Sequence, residues 1–162
     1  MLLNISEAKQ NEGKALHFNI DVELDSNIIA DKGYSFESNV SVDGEMEYDC
    51  EILTIKGKAT YPIRFVCDRC GEPYIRKVVV DFVEDFSNTG NVEHYPLTTN
   101  LDLTKPLIHN LMYNISTRNL CKPNCKGLCK ICGRNLNKGT CNCCSLEIDD
   151  NNPFKKLKNK LK

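Results

Sequence analysis

Seven of the chain's ten cysteines fall within CKPNCKGLCKICGRNLNKGTCNCC, Cys121 to Cys144, a stretch with no acidic side chain. A cysteine sulfur can be a metal ligand, a nucleophile or half of a disulfide, and spacing decides among these. Two segments share the pattern C-x-x-C-G: Cys67 to Gly71 (CDRCG) and Cys129 to Gly133 (CKICG). Such a turn, a zinc knuckle, brings two sulfurs to one side of a tight loop, each able to reach about 2.3 Å from a tetrahedral zinc. The following glycine lets the backbone swing round with its amides toward the sulfurs. One knuckle supplies half a site.

The complement of the second knuckle is close by, in Cys141-x-Cys143 after the connection GRNLNKGT, whose Asn and Gly residues suit a hairpin turn. The complement of the first is Cys121-x-x-x-Cys125. Cys67, Cys70, Cys121 and Cys125 then form one tetrahedral site, and Cys129, Cys132, Cys141 and Cys143 another. One or two structural zinc ions are the expected cofactor. Cys50 is left over as a small buried hydrophobe on a strand face, and Cys144 stands beside the tail. A second pairing stays open, with both knuckles on one ion as in a longer zinc ribbon. Four thiolates also hold iron–sulfur clusters, but paired knuckles fit zinc better than ferredoxin spacing does. The adjacent Cys143 and Cys144, and an N-terminus without the pattern of a secretory signal, argue against a disulfide framework. A thioredoxin-type pair would need a βαβ setting, which Cys67 and Cys70 lack. Residues 121–144 offer only Leu128, Ile131 and Leu136 for a core, so metal binding, worth roughly 10–16 kcal/mol, must fold them.

Catalysis is not expected. Catalytic zinc keeps an open position and usually takes histidine or carboxylate ligands, whereas His17, His94 and His109 all lie outside the cysteine block. No nucleophile elbow, phosphate loop or dinucleotide motif occurs, and no small-molecule substrate is expected. No apolar run approaches the roughly 18 residues of a membrane span. The expected compartment is the reducing cytoplasm, without membrane partners.

Net charge is −1 but unevenly spread. Residues 1–117 carry 10 Lys/Arg against 19 Asp/Glu, and residues 118–162 carry 11 against 3. Arg118, Lys122, Lys126, Lys130, Arg134 and Lys138 recur about every fourth residue through the metal-held loops, and Lys155, Lys156 and Lys158 follow on the tail. A rigid basic surface with a polybasic tail suits RNA phosphates. A solvated face offsetting thiolate charge is the other reading of these cations.

These ligands need elements to position them. ALHFNIDVEL (15–24) alternates with Leu16, Phe18, Ile20, Val22 and Leu24 on one face. NVSVDGEMEYDCEI and LTIKGKATYPIRF continue the alternation, with a phase slip between Ile52 and Leu53 that calls for a bulge or turn. YIRKVVVDFVEDF places Tyr74, Val78, Val80, Phe82 and Phe86 on a face, and Ser87 to Asn100 reads as loop. DLTKPLIHNLMYNI changes to helical period through Leu107, Ile108, Leu111, Met112 and Ile115, with Asp102 or Thr104 as N-cap. This helix should pack on the sheet and deliver the chain to the cysteine block. The tail NNPFKKLKNKLK offers an Asn-Pro helix start. The fold class is therefore α+β, mainly β: an antiparallel sheet or open barrel packed by one amphipathic helix, with a small zinc-ribbon-like module and a basic tail. The expected divisions are residues 1–117, the body with the first knuckle and the helix; 118–146, the cysteine-rich module; and 147–162, the tail.

The order of strand, CDRCG, acidic middle, amphipathic helix, CKPNCKGLCKICGRNLNKGTCNC and closing NPFKKLKNKL resembles the YceD family of bacterial and plastid proteins along nearly the whole chain. The resemblance implies a non-enzymatic factor in 23S ribosomal RNA maturation or stability and in large-subunit assembly. The expected partner is ribosomal RNA, contacted through the basic end. The other reading is a protein adaptor whose acidic strand, with Asp43, Glu45, Glu47, Asp49 and Glu51, docks a ribosomal protein or a ribonuclease.

Overall fold

The computed structural model describes residues 2–31, 33–90 and 93–145, apart from the side chains of Cys144 and Ser145. Its elements in chain order are β1 (Leu3–Asn4), α1 (Ser6–Gln10), β2 (Leu16–Val22), α2 (Asn27–Ala30), β3 (Ser35–Phe36), β4 (Val40–Asp49), β5 (Ile52–Val66), β6 (Pro73–Ser87), β7 (Asn100–Leu101) and α3 (Thr104–Asn114), with a 3₁₀ turn at Asn142–Ser145. Compactness divides the described residues into two units. One is a body comprising residues up to Val66 and Pro73–Asn119; the other joins Cys67–Glu72 to the described residues from Leu120 on. The first knuckle thus groups with the cysteine-rich segment rather than with the strands from which it emerges.

In the body, residues of period two build an open antiparallel sheet in which β2 pairs β4, β4 pairs β5, and β5 pairs β6. β3 continues the row of β4 along β5, pairing at Ile63 and Arg64. The sheet is open rather than a closed barrel: β2 and β6 end it on opposite sides. β5 and β6 pair over their whole length, Ile52 with Ser87 through Val66 with Pro73. The inner face buries Val42, Leu53, Ile55, Tyr61, Ile63 and Phe65 completely, each worth roughly 1.5–3 kcal/mol over exposure. Gly44 and Gly57 face one another across β4 and β5, and a Cβ on Gly57 would stand 2.4 Å from the Asp43 carbonyl oxygen. Only hydrogen fits between these strands.

The break in alternation is a two-residue hairpin turn at Cys50 and Glu51, with Asp49 paired to Ile52. Both turn residues have positive φ, 48° and 66°, as in the turns that match the twist of two strands. The phase therefore changes before Ile52 rather than after it. Cys50 is exposed rather than buried, because a turn residue has left the strand face. Its thiol lies 3.5 Å from Asp49 Oδ1, and that hydrogen bond, with the carboxylate's charge, raises its pKa.

The helix forms where expected and packs on β6, burying Pro106, Leu107 and Leu111. Tyr61 Oη donates to the Leu107 carbonyl at 2.8 Å. Neither expected cap closes α3: the N-cap is Leu103, and Asp102 Oδ1 accepts from Thr104 N at 2.9 Å just outside it. Two short helices, α1 and α2, and the β1–β7 pair, Leu3 with Leu101, add elements that the alternation did not announce. Where the chain leaves the body, Asn119 is fully buried. Its Oδ1 accepts from Arg76 Nη2 at 2.8 Å, and its Nδ2 donates to Tyr34 Oη at 2.7 Å and to the Ser116 carbonyl at 2.8 Å.

Candidate metal centre

The two knuckles are the same structure built twice. In the first, Cys67 N donates to the Glu72 carbonyl at 3.0 Å and Gly71 N to the Cys67 carbonyl at 2.9 Å. In the second, Cys129 N donates to the Arg134 carbonyl at 2.8 Å and Gly133 N to the Cys129 carbonyl at 2.9 Å. Gly71 and Gly133 adopt φ of 68° and 69°, the left-handed conformation that closes the loop at no steric cost. Amides inside the loop then face sulfur, as Ile131 N does at 3.4 Å from Cys129 Sγ.

Eight sulfurs gather into two quartets. Cys67, Cys70, Cys121 and Cys125 form one, Cys129, Cys132, Cys141 and Cys143 the other, and within each all four sulfurs lie within 4.8 Å of one another. The knuckles fall in separate quartets, so they do not converge on one centre. Cys67 Sγ is 3.7 Å from Cys125 Sγ, and Cys70 Sγ is 3.8 Å from Cys121 Sγ. A tetrahedron of sulfurs about 2.3 Å from its centre has edges of about 3.8 Å, so the first quartet has the dimensions of a four-thiolate zinc site. Both quartets could hold a metal ion, and their all-sulfur composition is consistent with zinc. The nine cysteines whose side chains are described are all free of disulfides.

Backbone donors tune the thiols. In Cys67, burial works against the charged form, but the amides of Cys121, Arg69 and Cys70 outweigh it and lower the pKa to about 6. The amides of Cys132 and Ile131 do the same for Cys129, also to about 6. Burial and the neighbouring sulfurs of Cys67, Cys125 and Cys70 push Cys121 up to about 12, and the Cys129 sulfur leads in raising Cys141 to about 12. The Cys70 thiol is bonded by the Glu72 amide, but burial and the sulfurs of Cys67 and Cys125 still leave it raised, and the Cys132 sulfur raises Cys143. Burial also works against the charged form of Cys125, but the Asn137 amide group and the Gly127 N–H outweigh it and lower that thiol as well. The first quartet therefore has two thiols inclined to ionise, Cys67 and Cys125, against Cys129 in the second, and the raised thiols give up their protons when a cation shares them.

The Asn-Leu-Asn run, which reads in the sequence as turn chemistry, belongs to this centre. Asn137 Nδ2 donates to Cys125 Sγ at 3.3 Å and to Asn135 Oδ1 at 2.9 Å, while Asn137 Oδ1 accepts from Lys126 N at 2.9 Å. Asn135 Nδ2 donates to Glu72 Oε1 at 3.2 Å. Nothing in the sequence beyond turn propensity marks these two asparagines as part of the centre. Arg69 Nη1 donates to the Cys125 carbonyl at 3.0 Å, and the Arg69 carbonyl accepts from Leu128 N at 3.2 Å. Gly127, with φ 75°, lies where a Cβ would meet that carbonyl at 3.0 Å. Among the described residues of this unit Leu128 and Ile131 are exposed, and the buried side chains are those of Cys67, Cys70, Cys125 and Cys129. The described interior is sulfur.

Of the basic residues singled out for RNA, Lys122, Lys126, Lys130, Arg134 and Lys138 are exposed on this unit, and Arg118 is exposed in the body segment preceding it. Lys138 is engaged in an ion pair with Glu72, which lowers the carboxylate's pKa, and Arg134 Nη1 donates to the Thr140 carbonyl at 3.1 Å. Lys155, Lys156, Lys158 and the Asn-Pro helix start lie outside the described residues. The histidines join neither quartet: His17 stands 3.4 Å from Asp43, His94 Nδ1 2.8 Å from Ser87 Oγ, and His109 Nδ1 2.7 Å from Tyr95 Oη.

The family model described as "Large ribosomal RNA subunit accumulation protein YceD" matches residues 55–162, two-thirds of the chain and all eight cysteines of the quartets. No curated protein and no solved structure matches.

Proposed function

The chain belongs to the YceD family, and from that premise we propose that it is a non-enzymatic ribosome-biogenesis factor. It supports processing and accumulation of 23S ribosomal RNA, and with it large-subunit assembly, by binding the RNA. It works in the reducing cytoplasm, where thiolate ligands persist, and zinc in the two quartets is structural. The observation that carries the reading is the placement of charge. Lys122, Lys126, Lys130 and Arg134 are exposed on loops anchored by the quartets, whereas Cys67, Cys70, Cys125 and Cys129 are buried. A four-thiolate zinc site carries about −2 overall; in the first quartet that charge lies on three buried sulfurs and one half-buried one, while in the second Cys132 is exposed. The exposed cations stand on the same loops and offset it toward an approaching phosphate.

The test is binding of the zinc-loaded protein to a labelled 23S fragment over a range of salt. Replacing Lys122, Lys126, Lys130 and Arg134 together by glutamine should weaken binding and reduce the log–log salt slope by about 3, since each phosphate left without its cation subtracts roughly 0.7–0.9. An unchanged slope would rule out this surface.

The adaptor reading has one observation in its favour: Asp43, Glu45, Glu47 and Asp49 share the outer face of β4. That face is partly neutralised. Asp43 meets His17 and Asn19, Glu45 lies 3.3 Å from Lys56, and Glu51 sits in the turn. Normal RNA binding by the four-glutamine protein, with loss of a protein partner when these acids are neutralised, would favour it.

A further inference from the structure

One long side of β6 is taken by β5 from end to end. On the other side Tyr95 pairs at the C-terminal end, its N–H donating to the Asp85 carbonyl and its carbonyl accepting from Ser87 N, both at 2.9 Å. Those two bonds fix the phase of that edge. Backbone groups point alternately to the two sides of a strand, so the residues facing outward with Asp85 and Ser87 are Ile75, Lys77, Val79, Asp81 and Val83. Among the described residues no strand pairs with them there. Their side chains share the sheet's outer face, where Ile75, Val79 and Val83 are 52%, 58% and 67% exposed. Long apolar edges are normally blunted by proline or a bulge. Ile75–Val83 pairs with β5 without interruption and contains no proline.

The spacing of these five residues is self-complementary. A two-fold axis at Val79 sets an antiparallel second copy so that Val79 meets Val79, Ile75 meets Val83, and Lys77 meets Asp81, twice over. All five positions face the edge, so every such pair exchanges backbone hydrogen bonds. An axis at Lys77 or at Asp81 would oppose like charges, and an axis at residue 78 or 80 would set apolar side chains against charged ones. The next pair outward would be Pro73 with Asp85, where proline has no N–H and Asp85 is already bonded to Tyr95, so the match is bounded at both ends. Asp81 meets Lys58 at 3.7 Å on the β5 side, and the second copy's lysine would approach from the other.

From this we infer that the protein forms a symmetric dimer by antiparallel pairing of β6 with β6 of a second copy, centred on Val79. The test is sedimentation equilibrium of the full metal-loaded chain over a wide concentration range. The wild type should reach twice the chain mass. Lys77→Asp and Asp81→Lys should each lose the dimer, since each opposes like charges at both pairs, and an equimolar mixture of the two should regain it as a one-to-one species. Val79→Pro removes an N–H that has no strand partner within one copy, so its circular dichroism should stay that of the wild type while its mass stays single. A monomeric wild type, including one whose edge serves a different protein, would overturn the inference. So would single variants that dimerise normally, a mixture that stays monomeric, or a dimeric Val79→Pro.

Discussion

Asn137 Nδ2 donates to Cys125 Sγ at 3.3 Å, so the loop that links the two ligand pairs of the second quartet also supports a ligand of the first. Groups that bond to a metal ligand commonly govern affinity by about 10- to 100-fold. Asn137→Ala should therefore let one of two bound ions pass to a chelator at a concentration about 10- to 100-fold lower than in the wild type. Titration with a zinc-sensitive dye reads this directly. Equal release of both ions would show that the amide does not act on the site.

Metal removal should separate the two units. The sheet rests on Leu53, Ile55, Tyr61 and Phe65, whereas the unit of Cys67–Glu72 and the residues from Leu120 buries mainly cysteine. With chelator, amide resonances of residues 120–145 should collapse toward random-coil positions while those of β4–β6 stay dispersed. Persistence of the first group would mean that packing other than metal holds it.

Zinc binding should release protons. Cys70 and Cys121 in one quartet and Cys141 and Cys143 in the other have pKa values raised above an ordinary thiol's, so at neutral pH at least these two thiols per site must lose a proton when an ion binds. The raised groups hold protons in the metal-free protein, so affinity rises with pH and falls as pH drops. Below about pH 6 the decline should steepen as Cys67 and Cys129 also protonate. Calorimetry in two buffers of different ionisation enthalpy gives the proton count, and a count of zero would contradict the quartet geometry.

Asn119→Ala should destabilise the body by about 1–3 kcal/mol, because it removes the acceptor for Arg76 and the donor to Tyr34 at a fully buried position. Urea denaturation followed at the sheet signal measures it.

Gly57→Ala should cost more than a typical surface substitution, roughly 3 kcal/mol or above, since its Cβ would lie 2.7 Å from Gly44 Cα with no flexible side chain to yield. A soluble, normally stable Gly57→Ala protein would show that the strands can separate there.

The long strands are legible in the sequence because burial on one face writes itself as period two, and α3 because its stripe spans three turns. The turn between β4 and β5 shows as a slip of phase, but its place at Cys50–Glu51 does not, since neither residue is one of the glycines or asparagines that usually mark positive φ. α1 and α2, at five and four residues, are too short to display a period. The quartets are foreseeable from ligand spacing, although the sequence leaves open whether the knuckles share an ion. Asn135 and Asn137 give no such signal, because asparagine in a connection has a sufficient local explanation and only the fold shows what their amides reach.

Cys70 and Cys121, whose sulfurs meet in the first quartet, are 51 residues apart. An ion bound there ties β6, β7 and α3 into a closed ring of chain. By the relation used for covalent cross-links, closing a ring of that size removes roughly 4 kcal/mol of entropy from the unfolded ensemble. An ion held there would act as a removable clasp on the body's unfolded state, and the body's melting temperature would become a readout of metal loading even though none of the four cysteines lies in a strand.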